Sequence, residues 1–370
     1  MKILGAEAAC CALPLPLPFR LGTTEVRSRD YVALRVVAED GTEGFGVGYT
    51  GGTQTFETLA LLSRELIGRD AIARRHILQD LESRHVPARA AIQRALSLID
   101  LALWDIACKL AGLPLYRYLG ALRENVPSMA VAGFRHHERG TPNVLSEVGA
   151  LREQSIAQVK VLIDGSLPAS DADYVGQVTK CAGQDGEVVV DAHWTWRALA
   201  PALQACARLD DMGLGFIEDP FLPVQWRLAG ELAGRLKTPI AAGEDVGDIS
   251  TLRELCGAVG VVRIDATTGG GITGALAAMD LAAAFGRMVV PHVFPYIYVQ
   301  LACSHPSVTA VEFIPEAAQV DPVRTLFQDF SSLIDGRMIP SARPGIGVHL
   351  DWQAVKAASR QFAVTHTEEL

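Results

Sequence analysis

The chain changes its pattern of apolar and polar residues near position 120. Before that point, residues 30–48 read YVALRVVAEDGTEGFGVGY, two strand-like runs on either side of Asp40-Gly41, a dipeptide suited to a tight hairpin. The N-terminal stretch MKILGAEAACCALPLPLPF carries one lysine and then Glu7, with no long apolar segment, and predicts a first strand and not a secretory leader. Between 55 and 112 the apolar spacing is helical. Its clearest piece, SLIDLALWDIACKLAGLPL, is apolar on most faces and stops at Gly112 and Pro114. A helix of that kind is buried, and a place between two domains would account for it. Residues 1–120 are therefore expected to form an α+β unit.

From about residue 128 the pattern becomes a series of short apolar, β-branched runs: SMAVAGF, QVKVLID, EVVVDAH, LGFIEDP, PIAAGED, VGVVRIDA, MVVPHVF and TAVEFIP. Helix-compatible segments such as PALQACARLDDMG and ITGALAAMDLAAAFG lie between most of them. Continuous apolar strands alternating with helices indicate parallel strands covered on both faces. Eight of them predict an α/β fold, a (β/α)₈ TIM-type barrel over residues 121–344, even though the last strand follows an unusually short connection. An open doubly wound sheet is the competing architecture. No GxGxxG follows a first strand, and the glycines at 269–271 read as a tight turn. The tail, about 345–370, is expected to return to the N-terminal α+β capping domain and complete it.

Composition narrows the possibilities. The chain has 370 residues, 49% of them hydrophobic, enough for one large domain and a smaller one. A net charge of −9 without a Lys/Arg block argues against a nucleic-acid surface. No apolar run has the length of a membrane span. Seven cysteines, at 10, 11, 108, 181, 206, 256 and 303, match neither a zinc motif nor a disulfide framework. Buried free thiols and a reducing, cytoplasmic compartment are expected.

Asp191, Glu218 and Glu244 close three of these runs at near-even intervals. Carboxylates at the same end of neighbouring strands converge, and a hard divalent cation such as Mg²⁺ relieves their repulsion. The other strand ends carry Lys160, His193, Asp265, His292 and Glu312. In a barrel these ends face the active site, and so many polar groups there are hard to explain as packing. His136, His137 and Glu138 follow the first run, but adjacent histidines point to different sides and make a poor second metal site. Trp194, Trp196, Phe294, Tyr296 and Tyr298 crowd the same region, either as a stacking surface or as core.

On these residues the chain resembles the enolase superfamily, in its mandelate racemase subgroup. The resemblance covers essentially the whole length, including IDLALWDIACKLAGLPLYRYLG and the closing PGIGV. It implies Asp191, Glu218 and Glu244 as ligands of one Mg²⁺. It also implies an Asp265–His292 dyad in which His292 removes a proton α to a carboxylate, and Glu312 as a protonated acid stabilising the resulting enediolate. The subgroup's Lys-x-Lys is here Lys160-Val161-Leu162, so the second lysine is missing and two-sided racemisation is disfavoured. Lys160 is left to attract the substrate carboxylate.

Asp191-Ala192-His193 resembles the D-x-H of acid-sugar dehydratases, galactonate dehydratases among them, where the histidine protonates the departing hydroxyl. The expectation is thus a Mg²⁺-dependent dehydratase that converts a small sugar acid to a 2-keto-3-deoxy acid. A racemase, epimerase or cycloisomerase and a catalytically silent scaffold are the alternatives. Homo-oligomers are common in this group and one is expected here. Specificity is expected from capping segments around 14–30 and 48–55, with Arg20, Arg27 and Tyr49 as candidates.

Overall fold

The computed structural model describes residues 1–21, 24–50 and 52–366. Residues 22, 23 and 51 of the expected specificity segments, and 367–370 of the tail, lie outside the described residues. Strands β1 (Ile3–Leu21), β2 (Thr24–Ala38) and β3 (Glu43–Tyr49) form an antiparallel sheet. Its other edge is the last strand of the chain, β16 (Ser359–His366), which pairs antiparallel with β1. The first strand and the hairpin turn, with Gly41 at φ 84°, occur where the pattern placed them.

Helices α1 (Thr55–Arg64), α2 (Arg74–Arg84) and α3 (Arg89–Leu110) follow. Every residue of α3 from Ala95 to Cys108 is buried, as an apolar circumference requires. One flank meets β3, whose alternate glycines exist for that contact. A Cβ at Gly44 would stand 2.1 Å from the Ala102 carbonyl oxygen, and one at Gly46 2.4 Å from that of Leu98. The opposite flank meets the barrel, where Asp100 accepts from the Thr273 amide at 2.9 Å and hydroxyl at 2.7 Å.

Eight parallel strands form the barrel: β4 (Val126–Ala132), β5 (Gln158–Leu162), β6 (Glu187–Asp191), β7 (Ile217–Glu218), β8 (Ile240–Ala242), β9 (Val261–Ile264), β10 (Met288–Pro291) and β11 (Val311–Phe313). Each pairs with the next from β4 through β10, and β11 pairs with β4. The ring is completed between β10 and the approach to β11, where the Val289 amide donates to the Ser307 carbonyl at 2.9 Å and the Thr309 amide to the Val289 carbonyl at 3.2 Å. All eight apolar runs thus carry a barrel strand. Helices on the outside include α7 (Pro168–Ala182), α10 (Ile249–Ala258) and α11 (Gly271–Ala284). The short connection before β11 holds only one helix, Pro295–Ala302. No helix among the described residues is long and apolar enough to cross a membrane. All seven cysteines are free, and five are buried, but Cys181 is exposed.

Asp105 on α3 joins three parts of the chain. Fully buried, it accepts from the Phe45 amide on β3 at 3.0 Å, the Ile346 amide of the closing segment at 3.0 Å and Lys109 Nζ at 2.7 Å. Asp105→Ala strands two buried amides and an ammonium, and is expected to cost about 3–5 kcal/mol of unfolding free energy. A urea denaturation midpoint that does not move would contradict this linkage.

Candidate active site

Period-two alternation along the barrel strands sorts their inward side chains into layers. The lower layer is an apolar plug of Met129, Val189, Phe216, Ala241, Val261, Val290 and Ala310. One step towards the strand C-termini, the inward positions become Lys160, Asp191, Glu218, Arg263 and Glu312, every one buried. Lys160 Nζ lies 2.7 Å from Glu312 Oε2, 3.1 Å from Glu218 Oε1 and 3.3 Å from Asp191 Oδ2. Arg263, fully buried, places Nη2 2.7 Å from Glu312 Oε2 and Nε 3.1 Å from Glu218 Oε1. The second contact is an ion pair without hydrogen-bond geometry, since Nε–H has no aligned acceptor.

Above this layer stand Glu244, Asp265 and His292. The His292 Nδ1 is 3.0 Å from Asp265 Oδ2, and its Nε2 is 3.8 Å from Glu244 Oε1. Asp265 Oδ1 also accepts from the Thr267 amide at 2.7 Å, so the carboxylate that orients the imidazole is itself fixed. His193 donates its backbone amide to Asp191 Oδ1 at 2.8 Å. The residues just past three strand ends adopt left-handed backbone: His193 and Trp194, Asp219, and Val293 and Phe294. Non-glycine residues held this way mark turns that the surrounding structure over-determines, and they concentrate at functional sites.

The electrostatics divide the site. Burial would raise the Glu312 carboxyl, but Arg263 and Lys160 outweigh it and push it down to about 2. The expectation that burial keeps Glu312 protonated is therefore reversed, because two buried cations stabilise its charge. Burial also works against the Lys160 ammonium, yet Glu218, Glu312 and Asp191 hold it charged. All three carboxylates already engage it, so it does not stand free for a substrate. Burial lowers His193. Burial would lower His292 as well, but the charge of Glu244 and the bond to Asp265 raise it to about 9.

One oxygen from each of Glu218, Asp219 and Glu244 falls within 4.8 Å of the others. Burial pushes Glu244 up to about 8, and raises Glu218 and Asp219 too. Glu244 Oε2 is buried with no hydrogen-bond partner, and Arg263 Nη2 stands 3.9 Å off. Clustered, desolvated carboxylates with an orphaned oxygen fit a hard divalent cation. Two of the three ligand positions read from the sequence are in this cluster. Asp191 sits beside it, joined to Glu218 through Lys160 and through the parallel pairing of β6 with β7.

Two participants were missed. Asp219 follows Glu218 directly, and the Trp194 indole donates to its Oδ2 at 2.9 Å. Arg263 sits two residues before Asp265, the step that puts both on the inward face, so period-two counting could have found it. Leu162 joins an apolar wall with Val131 and Phe134. Trp196, Phe294, Tyr296 and Tyr298 are buried, which settles them as packing; only Trp194 is partly exposed. His136 stacks on Tyr174 at 4.7 Å, and His137 Nε2 lies 3.6 Å from Asp164. Of the proposed specificity residues, Arg27 pairs with Glu25 at 2.8 Å on the exposed rim, and Tyr49 donates to Asp321 at 2.8 Å.

A capped (β/α)₈ barrel with converging carboxylates and an Asp–His pair at its strand ends defines a class, and comparison with known proteins agrees. Residues 5–120 match the mandelate racemase / muconate lactonizing enzyme N-terminal domain, and residues 143–354 match the enolase C-terminal domain-like family. The chain belongs to the mandelate racemase / muconate lactonizing enzyme family of the enolase superfamily. It is 30% identical to L-talarate/galactarate dehydratase of Salmonella typhimurium over 87% of this chain and 81% of that protein. It is 26% identical to muconate cycloisomerase 1 of Rhodococcus opacus over 97% and 99%. Among solved structures, L-talarate dehydratase from Polaromonas sp. JS666, complexed with Mg and L-glucarate, superposes with a TM-score of 0.90 at 27% identity, covering 99% of both chains.

Arg263→Met keeps the volume and removes the charge beneath the carboxylates. Leaving Glu218 and Glu312 to Lys160 alone is expected to lower the melting temperature by about 10 °C. Differential scanning calorimetry of the purified variant checks this; an unchanged melting temperature would show that the buried guanidinium is dispensable.

Proposed function

We propose that this protein is a Mg²⁺-dependent dehydratase of a sugar acid, and that His292, Asp265, His193, Lys160, Glu312 and the carboxylates of Asp191, Glu218 and Glu244 carry the reaction. The observation that carries the proposal is the one-sided placement of bases: a His292–Asp265 pair faces the carboxylate cluster, while the position for an opposite base is Leu162. Asp191, Glu218 and Glu244 would hold the cation, with Asp219 close enough to contribute. When bound, Mg²⁺ would supply positive charge to the substrate's carboxylate oxygens and offset Glu244, the carboxylate that most raises His292.

His292 Nε2 takes the α-proton of the substrate, and Asp265 stabilises the imidazolium that forms. Lys160 and Arg263 hold Glu312 ionised, and Lys160, though engaged by three carboxylates, would add positive potential where negative charge develops. The β C–O bond then breaks, and the leaving hydroxide departs as water with a proton from His193. His193 sits where burial favours its neutral form, so it must receive that proton during the cycle. The enol left behind becomes the keto acid by taking a proton at its β-carbon and giving up the one on its oxygen. The relative at 30% identity is a dehydratase, which supports the lyase outcome, while relatives at 25–27% include both dehydratases and cycloisomerases.

The test is a 2-keto-acid assay over a library of aldonates and aldarates with Mg²⁺. Dehydration is expected for at least one acid, abolished by chelation and restored by added Mg²⁺. His292→Asn is expected to lose both dehydration and α-deuterium exchange from D₂O. His193→Asn is expected to lose dehydration and keep exchange. Recovered substrate with inverted α-configuration and no keto acid would point to an epimerase instead. Because the base must be neutral, kcat/KM should fall as pH drops through the His292 pKa of the loaded enzyme. A profile flat in that direction would remove His292 from the role.

A further inference from the structure

Arg29 lies on β2 of the capping sheet, and its Nε donates to the Val320 carbonyl at 3.0 Å. Its guanidinium stands 5.0 Å from the ring centroids of both Phe19 and Tyr49. These rings tie it to the barrel mouth. Tyr49 packs on Phe294, just past His292, at 4.9 Å, and Phe19 meets Phe134, just past β4, edge-on at 5.3 Å. Val320 follows the strand that carries Glu312. Arg29 therefore hangs over the mouth between the ends of β10, β11 and β4.

What sets Arg29 apart is that its guanidinium fork is open. No carboxylate is within ion-pair distance of it among the described residues, and its two terminal amino groups have no hydrogen-bond partner among them. The acid next to Val320, Asp321, makes its hydrogen bonds with the hydroxyls of Tyr31 and Tyr49 and not with the Arg29 fork. By contrast Lys160 and Arg263, the cations of the floor, are fully matched by carboxylates. The wall beside Arg29 is apolar, built from Phe19, Val131, Phe134 and, packed against them, Leu162 and Ile314. A guanidinium clamped by one backbone bond and two rings, with its fork left open, is pre-organised for a planar anion.

Resting on the dehydratase reading above, we propose that Arg29 is a specificity-determining residue that receives the second carboxylate of a diacid substrate, so that aldarates are preferred to aldonates. The reacting carboxylate goes to the cation cluster at the floor, and the distal one to the roof. An aldonate ends in a hydroxymethyl group, which leaves the guanidinium without its counter-charge against an apolar wall. A site built to pair a polar group discriminates strongly against the analogue that lacks it.

The experiment pairs acids of matched configuration, galactarate with galactonate and glucarate with gluconate, on the Mg²⁺-loaded protein. The diacid of at least one pair is expected to have the higher kcat/KM. Arg29→Gln is expected to lower the diacid-to-monoacid ratio about 10- to 100-fold, carried by KM, and Arg29→Lys to restore part of it. A parallel calorimetric titration uses His292→Asn with and without Arg29→Gln, so that binding is read without turnover. If acids are dehydrated with no preference for the diacid, or with a preference that Arg29→Gln leaves in place, the subsite falls and the lyase reading stands. If no acid is dehydrated but diacid binding still depends on Arg29, the lyase reading falls and the subsite stands. Failure of every diacid to bind overturns the subsite.

Discussion

The buried charge lattice on the barrel axis is the constraint on which the rest of the site depends. Two cations, Lys160 and Arg263, are held among Asp191, Glu218, Glu244 and Glu312, all of them buried. Charges in such a place are tolerable only when each has several opposite neighbours, because desolvation is not recovered by one contact. The lattice therefore fixes the rotamers of all its members together. It also leaves Asp219 without an ion pair among the described residues and Glu244 with only the long contacts to Arg263 and His292, at 3.9 and 3.8 Å, and that imbalance is what makes the site receptive to a divalent ion.

The same lattice governs protonation. Glu312, next to both cations, is driven to the ionised form, whereas Glu244, farther from them, is pushed towards the neutral one. Two carboxyl groups in one buried cluster are thereby separated by environment alone. The two histidines are separated in the opposite sense: acidic neighbours raise His292, and burial lowers His193. This balance favours the charged form of His292 and the neutral form of His193. Positive charge arriving at Glu244 would offset the carboxylate that most raises His292.

The capping sheet contributes shape more than charge. Its glycine-lined β3 lets α3 come close enough for backbone contact, and α3 in turn grips the barrel through Asp100 and the closing segment through Asp105. Tight, polar-stitched docking of this kind fixes the roof relative to the floor. That is why a single residue of the cap, Arg29, can be aimed at a point above the strand ends with Phe19 and Tyr49 as its clamps.

The sequence by itself determined the eight strands, the buried helix, the hairpin and the polar residues at each strand end, because period and strand-end chemistry are local properties. Asp191, Glu218, Glu244, Asp265 and His292 were legible for that reason. What it could not determine was which of them face one another and with what balance of charge. Arg263 looked like one more residue in VVRIDA, and only the closed ring of strands shows that it lies under Glu218 and Glu312. Glu312 was expected to be neutral because burial alone favours that; two cations from other strands reverse it. Arg27 and Arg29 are indistinguishable as arginines in RSRD, two residues apart on one face of β2, and only the partners that the fold supplies, Val320 with the rings of Phe19 and Tyr49 for Arg29 and Glu25 alone for Arg27, set them apart. Charge pairing and side-chain aim depend on distances between residues far apart in sequence, so they were settled only by the tertiary structure.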